Sequence, residues 1–136
     1  MINVKNIDHV VLRAVDPEKM IRFYRDVLGC RVEKQSSPEM GLYQMRAGQS
    51  LIDIVAVDGE LGRKGGGAPG KEGRNMDHFC VRIESFDEQA IWDFLQQHNI
   101  HGSEVETHYG ADGYGLSLYI HDPEGNTIEL KGPGTG

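Results

Sequence analysis

Two histidines and two carboxylates stand in matching places in the two halves of this chain. His9 lies in Ile7-Asp8-His9-Val10-Val11-Leu12-Arg13, and His78 lies 69 residues later in the near copy Met76-Asp77-His78-Phe79-Cys80-Val81-Arg82. Each copy alternates as a strand does, so His9, Val11 and Arg13 fall on one face, as do His78, Cys80 and Arg82. Each half then closes on an acid between apolar β-formers, Asp53 in Leu51-Ile52-Asp53-Ile54-Val55 and Glu129 in Thr127-Ile128-Glu129-Leu130-Lys131. An acid in such a strand is costly to bury without compensation, and a metal ion is one compensator. Two imidazole nitrogens and two carboxylate oxygens suit a borderline to hard divalent ion such as Mn, Fe, Co, Ni or Zn. Four protein ligands alone describe a closed structural site. An octahedral ion would keep two positions for water or a bidentate substrate, so the ligand count leaves both readings open.

The elements that must carry these residues repeat in order. After the first strand, Asp16-Pro17-Glu18 reads as a helix start, with a capping side chain, a proline at the first helical position and an acid favourable to the helix dipole. Met20, Phe23, Tyr24, Val27 and Leu28 continue at helical spacing and Gly29 supplies a stop, so a helix is expected over 17–28. Short β-type stretches follow at 30–34, 41–46 and 50–57, separated by turn chemistry. The second half repeats this with a strand over 77–83 and a capping box at Ser85-Phe86-Asp87-Glu88. Ala90, Ile91, Phe94 and Leu95 then lie on one helix face, and Gly102 ends that region. A weak strand over 103–108, a glycine-rich loop over 110–115, a strand over 116–121, the turn Asp122 to Asn126 and a last strand complete it.

The expected organisation is a first module over 1–57, a linker over 58–75, a second module over 76–131 and a fraying tail over 132–136. The linker holds seven glycines and no periodicity. Its Gly65 to Lys71 stretch departs from a phosphate loop because Glu72 stands where serine or threonine belongs, so it reads as a mobile connection able to act as a lid.

At 136 residues the chain holds one compact domain or two half-size modules, and not a catalytic domain beside a cofactor domain. A net charge of −7 and a pI near 5.3 argue against nucleic acid as a partner. No apolar run approaches the ~20 residues of a membrane span, and the start reads without a secretory leader. Cys30 and Cys80 lack metal-type spacing and suit a reduced cytoplasm, as small buried hydrophobes. His98, His101, His108 and His121 are expected at the solvated surface. Arg13 and Arg82, four residues past the histidines on the same faces, are candidates to hold an anionic substrate group. Ser117 and Tyr119 share a face leading to the last turn and are candidate pocket residues.

Taken together, Ile7-Asp8-His9, Phe23-Tyr24-Arg25-Asp26-Val27-Leu28-Gly29, Met76-Asp77-His78 and the stretch from Tyr119 to Leu130 resemble the vicinal oxygen chelate superfamily. That superfamily includes glyoxalase I, methylmalonyl-CoA epimerase, extradiol dioxygenases, fosfomycin resistance proteins and bleomycin-binding proteins. The resemblance implies an α+β fold of two βαβββ modules forming a cupped mixed-sheet barrel around one divalent ion, commonly in a homodimer. It implies His9, Asp53, His78 and Glu129 as the metal ligands in the glyoxalase I pattern, with aspartate at 53 where that enzyme has glutamate or glutamine. Val11 and Tyr109 replace residues expected of the fosfomycin branch, and full ligand retention counts against the bleomycin-binding branch.

The expected function is a metal-dependent lyase or isomerase that chelates two neighbouring oxygens of a small, anionic substrate. Glu129, with Asp53, would carry the proton. The alternatives are a non-catalytic small-molecule binding protein and a fosfomycin-type thiol transferase or hydrolase.

Overall fold

The structure is a computed structural model that describes residues 1–135, with the last position of the expected tail, Gly136, lying outside the described residues. The chain divides into two units, Met1–Asn75 and Met76–Gly136.

The first unit runs β1 (His9–Ala14), α1 (Pro17–Asp26), β2 (Arg31–Gln35), β3 (Leu42–Ala47), β4 (Ser50–Ala56) and a short 3₁₀ turn at Gly62–Gly65. Its sheet has the order β1-β4-β3-β2, with β1 parallel to β4 and the other pairs antiparallel. The register puts Leu12 beside Ile54 and Met45 beside Ile52, so one face is apolar. Helix α1 covers it with Met20, Phe23 and Tyr24, and these seven residues are buried. The helix starts where Asp16 accepts a hydrogen bond from the Lys19 amide at 3.2 Å, and Gly29, at φ 70°, turns the chain out of it.

The second unit repeats the scheme with β5 (Phe79–Arg82), α2 (Glu88–Gln97), β6 (Glu106–Gly110), β7 (Gly113–His121) and β8 (Thr127–Lys131). Its order is β5-β8-β7-β6, again with only the first pair parallel. Ile128, Leu130, Leu118 and Ile120 form the buried apolar face, and Leu95 and Trp92 of α2 meet Leu118 around Gly102, where no side chain would fit without displacement. The two βαβββ modules and the α+β class therefore stand. Each sheet is open, with β1 and β2 the edges of one and β5 and β6 the edges of the other, rather than a closed barrel.

Local departures have local causes. Helix α2 is capped by Asp87, which accepts from the Ala90 amide at 3.1 Å, and not by Ser85. It is stopped by Asn99 at φ 57° rather than by Gly102. The glycine-rich stretch 110–115 is the tip of a tight hairpin in which Gly110 pairs with Gly113 and Tyr109 with Tyr114. The tail from Gly132 to Thr135 lies along β7 through Gly132 N to Leu116 O and Thr135 N to Tyr114 O, each 2.9 Å, so these positions are tied down. Among the described residues no helix is long and apolar enough to cross a membrane.

Segment 58–75 belongs with the first unit. The Arg13 guanidinium donates to the carbonyls of Gly62, Gly66 and Gly67 at 2.7–2.9 Å. Asn75 closes the other end, accepting from Arg13 N at 3.0 Å and donating to Arg13 O at 3.1 Å, as a neighbouring strand would. Glycine is required at 62, where a Cβ would sit 1.8 Å from Ala56 O.

Candidate functional site

Cross-strand register builds a polar face opposite the apolar one in each sheet. In the first unit Val11, Asp53 and Gln44 lie side by side across β1, β4 and β3, with His9 one step back along β1. Asp53 is buried, and its Oδ2 accepts a hydrogen bond from Gln44 Nε2 at 3.3 Å. Its Oδ1 is buried with no hydrogen-bond partner. A buried carboxylate oxygen left bare in this way costs free energy until something fills it. His9 is exposed, and Asp8 Oδ1 holds its Nδ1 at 2.8 Å. That bond, followed by the charge of Asp53, raises the pKa of the His9 ring.

In the second unit Cys80, Glu129 and Tyr119 form the corresponding row across β5, β8 and β7. Asp77 Oδ2 holds His78 Nδ1 at 2.6 Å, and His78 Nε2 lies 3.3 Å from the buried Glu129 Oε1. The Tyr119 ring stands edge-on to His78 at 5.4 Å and lies beside Glu129 in the cross-strand row. Burial, then the Glu129 charge, pushes the tyrosine pKa up, so the phenol keeps its proton. Desolvation, then Glu129, likewise pushes the Cys80 thiol up to about 11, which leaves it a poor nucleophile at neutral pH.

The expected ligands thus meet as one pair in the second unit and as close neighbours in the first. Among the described residues no group of three or more His, Cys, Asp or Glu side chains is gathered into a metal-holding cluster. The donor chemistry of the pairs nevertheless fits a divalent ion. Each histidine has Nδ1 fixed by the preceding aspartate, the arrangement that sets the tautomer and leaves Nε2 to coordinate. Each is accompanied by a buried carboxylate, one of them with an oxygen unused. Asp8 and Asp77 were visible in the sequence as the repeated Asp-His dipeptide, but their contribution shows only when the rings are seen.

The remaining candidates separate by what they touch. Arg13 is committed to the carbonyls of the 62–67 loop. Arg82 pairs with Asp112 at 2.8 Å and stays partly exposed. Ser117 is buried, and its hydroxyl has no hydrogen-bond partner. His108 belongs to the same polar face: its ring lies 6.0 Å from that of Tyr119, and it is half-buried rather than solvated. Alternation from Glu106 could have shown that, had the strand been placed over 106–110 rather than 103–108.

Residues 6–130 match the family model described as the Glyoxalase/Bleomycin resistance protein/Dioxygenase superfamily. The mitochondrial methylmalonyl-CoA epimerase of Homo sapiens is 25% identical over 134 residues, covering 95% of this chain and 74% of the relative. A virulence protein from Salmonella typhimurium superposes with a TM-score of 0.76 at 27% identity, over 97% of this chain and 99% of that one. A lactoylglutathione lyase from Agrobacterium tumefaciens does so with a TM-score of 0.68 at 22% identity, over 95% and 94%, a likeness of fold alone.

Proposed function

Because the chain belongs to the Glyoxalase/Bleomycin resistance protein/Dioxygenase superfamily, we propose that it is a divalent-metal-dependent lyase or isomerase acting on a small, oxygen-rich anion. The observation that carries this reading is the repeated arrangement of an aspartate-oriented histidine with a buried strand carboxylate. His9 and Asp53 supply it in the first unit, His78 and Glu129 in the second. Each pair would supply donors to a divalent ion. When bound, such an ion would supply Lewis acidity toward substrate oxygen.

The chain's own residues do the rest. Asp8 and Asp77 hold Nδ1 of each histidine, so both rings present a fixed Nε2. Glu129 is the proton carrier: it is buried, faces His78 and stands beside Tyr119 in the cross-strand row. Asp53 is the second carboxylate, with one oxygen held by Gln44 and the other free to change partner. Arg82 and Ser117 orient the anionic part of the substrate. An epimerase among the relatives supports proton transfer as the reaction class.

The test is elemental analysis of the untagged protein beside His9→Ala and His78→Ala, followed by a deuterium-exchange screen of α-hydroxy carbonyls and thioesters. Metal in the parent, its loss in both variants and solvent deuterium entering a substrate are expected. Glu129→Gln should keep the metal and lose exchange by about two orders of magnitude or more, the usual contribution of a general base. Retained exchange in that variant would refute the role given to Glu129. Tight binding of a compound that leaves unchanged would replace the enzyme with a sequestering protein.

A further inference from the structure

The two sheets carry the same frame, and comparing them row by row exposes a residue the frame does not require. One step beyond Asp53 the first sheet places Val55, flanked by Arg13 on β1 and Leu42 on β3, and Val55 is buried. One step beyond Glu129 the second sheet places Lys131, flanked by Arg82 on β5 and Ser117 on β7. A fold that is content with valine at this position has been given a lysine that is only 3% exposed.

Burying an ammonium is costly unless it is matched. Lys131 Nζ donates to the carbonyls of His108 and Gly115. Among the described residues no carboxylate lies within ion-pair distance of it, because Glu129 faces His78 and Asp112 faces Arg82. An ammonium has three donors, so one remains. Directly across the ladder, the buried Ser117 hydroxyl also has no partner. Beside them opens a cavity of about 260 Å³ lined by Arg82, Lys131, Glu129, Cys80 and the hairpin tip at 109–111. The tip is shaped to the lysine: a Cβ on Gly110 would come within 2.7 Å of Lys131 Cε.

We propose that this cavity is an oxyanion subsite in which Lys131, with Arg82 beside it, binds the acidic arm of the substrate. The inference rests on the lyase or isomerase reading and narrows its substrate. Positions two apart on a strand are separated by about 6.6 Å, so the acid group sits that far from the row holding Glu129 and Tyr119. The substrate is therefore an acid whose carboxylate or phosphate is joined to the reacting oxygens by a short chain. The cavity falls below the roughly 300 Å³ at which drug-sized ligand pockets begin, so it takes a small oxyanion and not a nucleotide-sized group.

The test titrates acetate and, separately, inorganic phosphate into the purified full-length protein while the backbone amides of Gly110 and Ala111 are followed by NMR. Saturable shifts are expected with at least one probe, and the stronger binder tells a carboxylate from a phosphate. Lys131→Met, which keeps the volume, should weaken binding about tenfold or more, the worth of one charge-assisted hydrogen bond. Gly110→Ala, which displaces the ammonium without removing it, should weaken it also and covers a failure of the first variant to fold. His9→Ala leaves the subsite intact, so its affinity should match the parent. Absent shifts, or affinity indifferent to both Lys131→Met and Gly110→Ala, would overturn the subsite. So would loss of binding in His9→Ala, since the anion would then be held at the metal. A parent that binds the probes but carries no metal would instead sink the enzyme reading alone.

Discussion

At the scale of single residues, the histidines are set by their neighbours. Asp8 and Asp77 precede His9 and His78 and hold Nδ1 at 2.8 and 2.6 Å. Neither aspartate is buried, so replacing it disturbs little packing, and the effect of its loss is confined to ring orientation. Asp8→Asn and Asp77→Asn should each weaken metal affinity by about 10–100-fold, the usual cost of removing such a partner. Their melting temperatures without metal should stay at the parent's. Competition with a chromogenic chelator reads the first quantity and thermal unfolding after chelation the second. Equal metal affinity in parent and variants would mean that the strands alone aim the rings. The four donors were legible in the sequence because they recur in two copies of one pattern. Lys131 was not singled out, since a lysine near a strand end reads as solvated until the register places Ser117 and Arg82 beside it.

At the scale of elements, β2 is an edge strand whose five residues are all exposed, and it needs help to stay paired. Help comes from Arg46 of β3, whose guanidinium donates to both oxygens of Glu33 at 3.0 and 2.7 Å. The Arg46 hydrogen bonds hold the Glu33 carboxyl below its usual 4.5. A depressed carboxyl pKa stabilises the fold above the unfolded value, and that stabilisation fades as pH falls through the folded one. Glu33→Gln should therefore melt below the parent at pH 7, and the gap should close as the pH drops below 4.5, with added salt shrinking it at neutral pH. A gap that persists in acid would assign the loss to packing. Helix α1 and strands β1 to β4 could be read from periodicity and turn chemistry because their signals agree with their tertiary setting. The β6–β7 hairpin could not. Gly110, Gly113 and Gly115 have the composition of a loop, and only pairing across the ladder shows that Gly110 makes room for Lys131 and that Gly115 approaches the carbonyls of the tail.

At the scale of the whole molecule, duplication explains what is shared and sequence divergence what is not. Both units fold the same four-stranded order over one helix, and both reserve the opposite face for polar side chains. The copies then part company at the centre of the row beyond the acid, where Val55 stands in one and Lys131 in the other, each beside an arginine. The glycine-rich connection divides too. Its first part, 62–67, is gripped by Arg13, while a tight turn closed by paired hydrogen bonds between Gly70 and Gly73 leaves Lys71 exposed at its tip. Brief trypsin treatment followed by mass spectrometry should show cleavage after Lys71 ahead of Arg63 and Lys64. The reverse order would mean that the grip is loose.

That grip also makes the chain separable in a useful place. Cut at Lys71, the first fragment keeps its complete sheet together with Arg13 and the loop carbonyls it binds and gives up only the Asn75 bonds, and the second keeps β5 to β8 entire. Each piece, expressed apart, then reports whether one four-stranded sheet folds without the other copy.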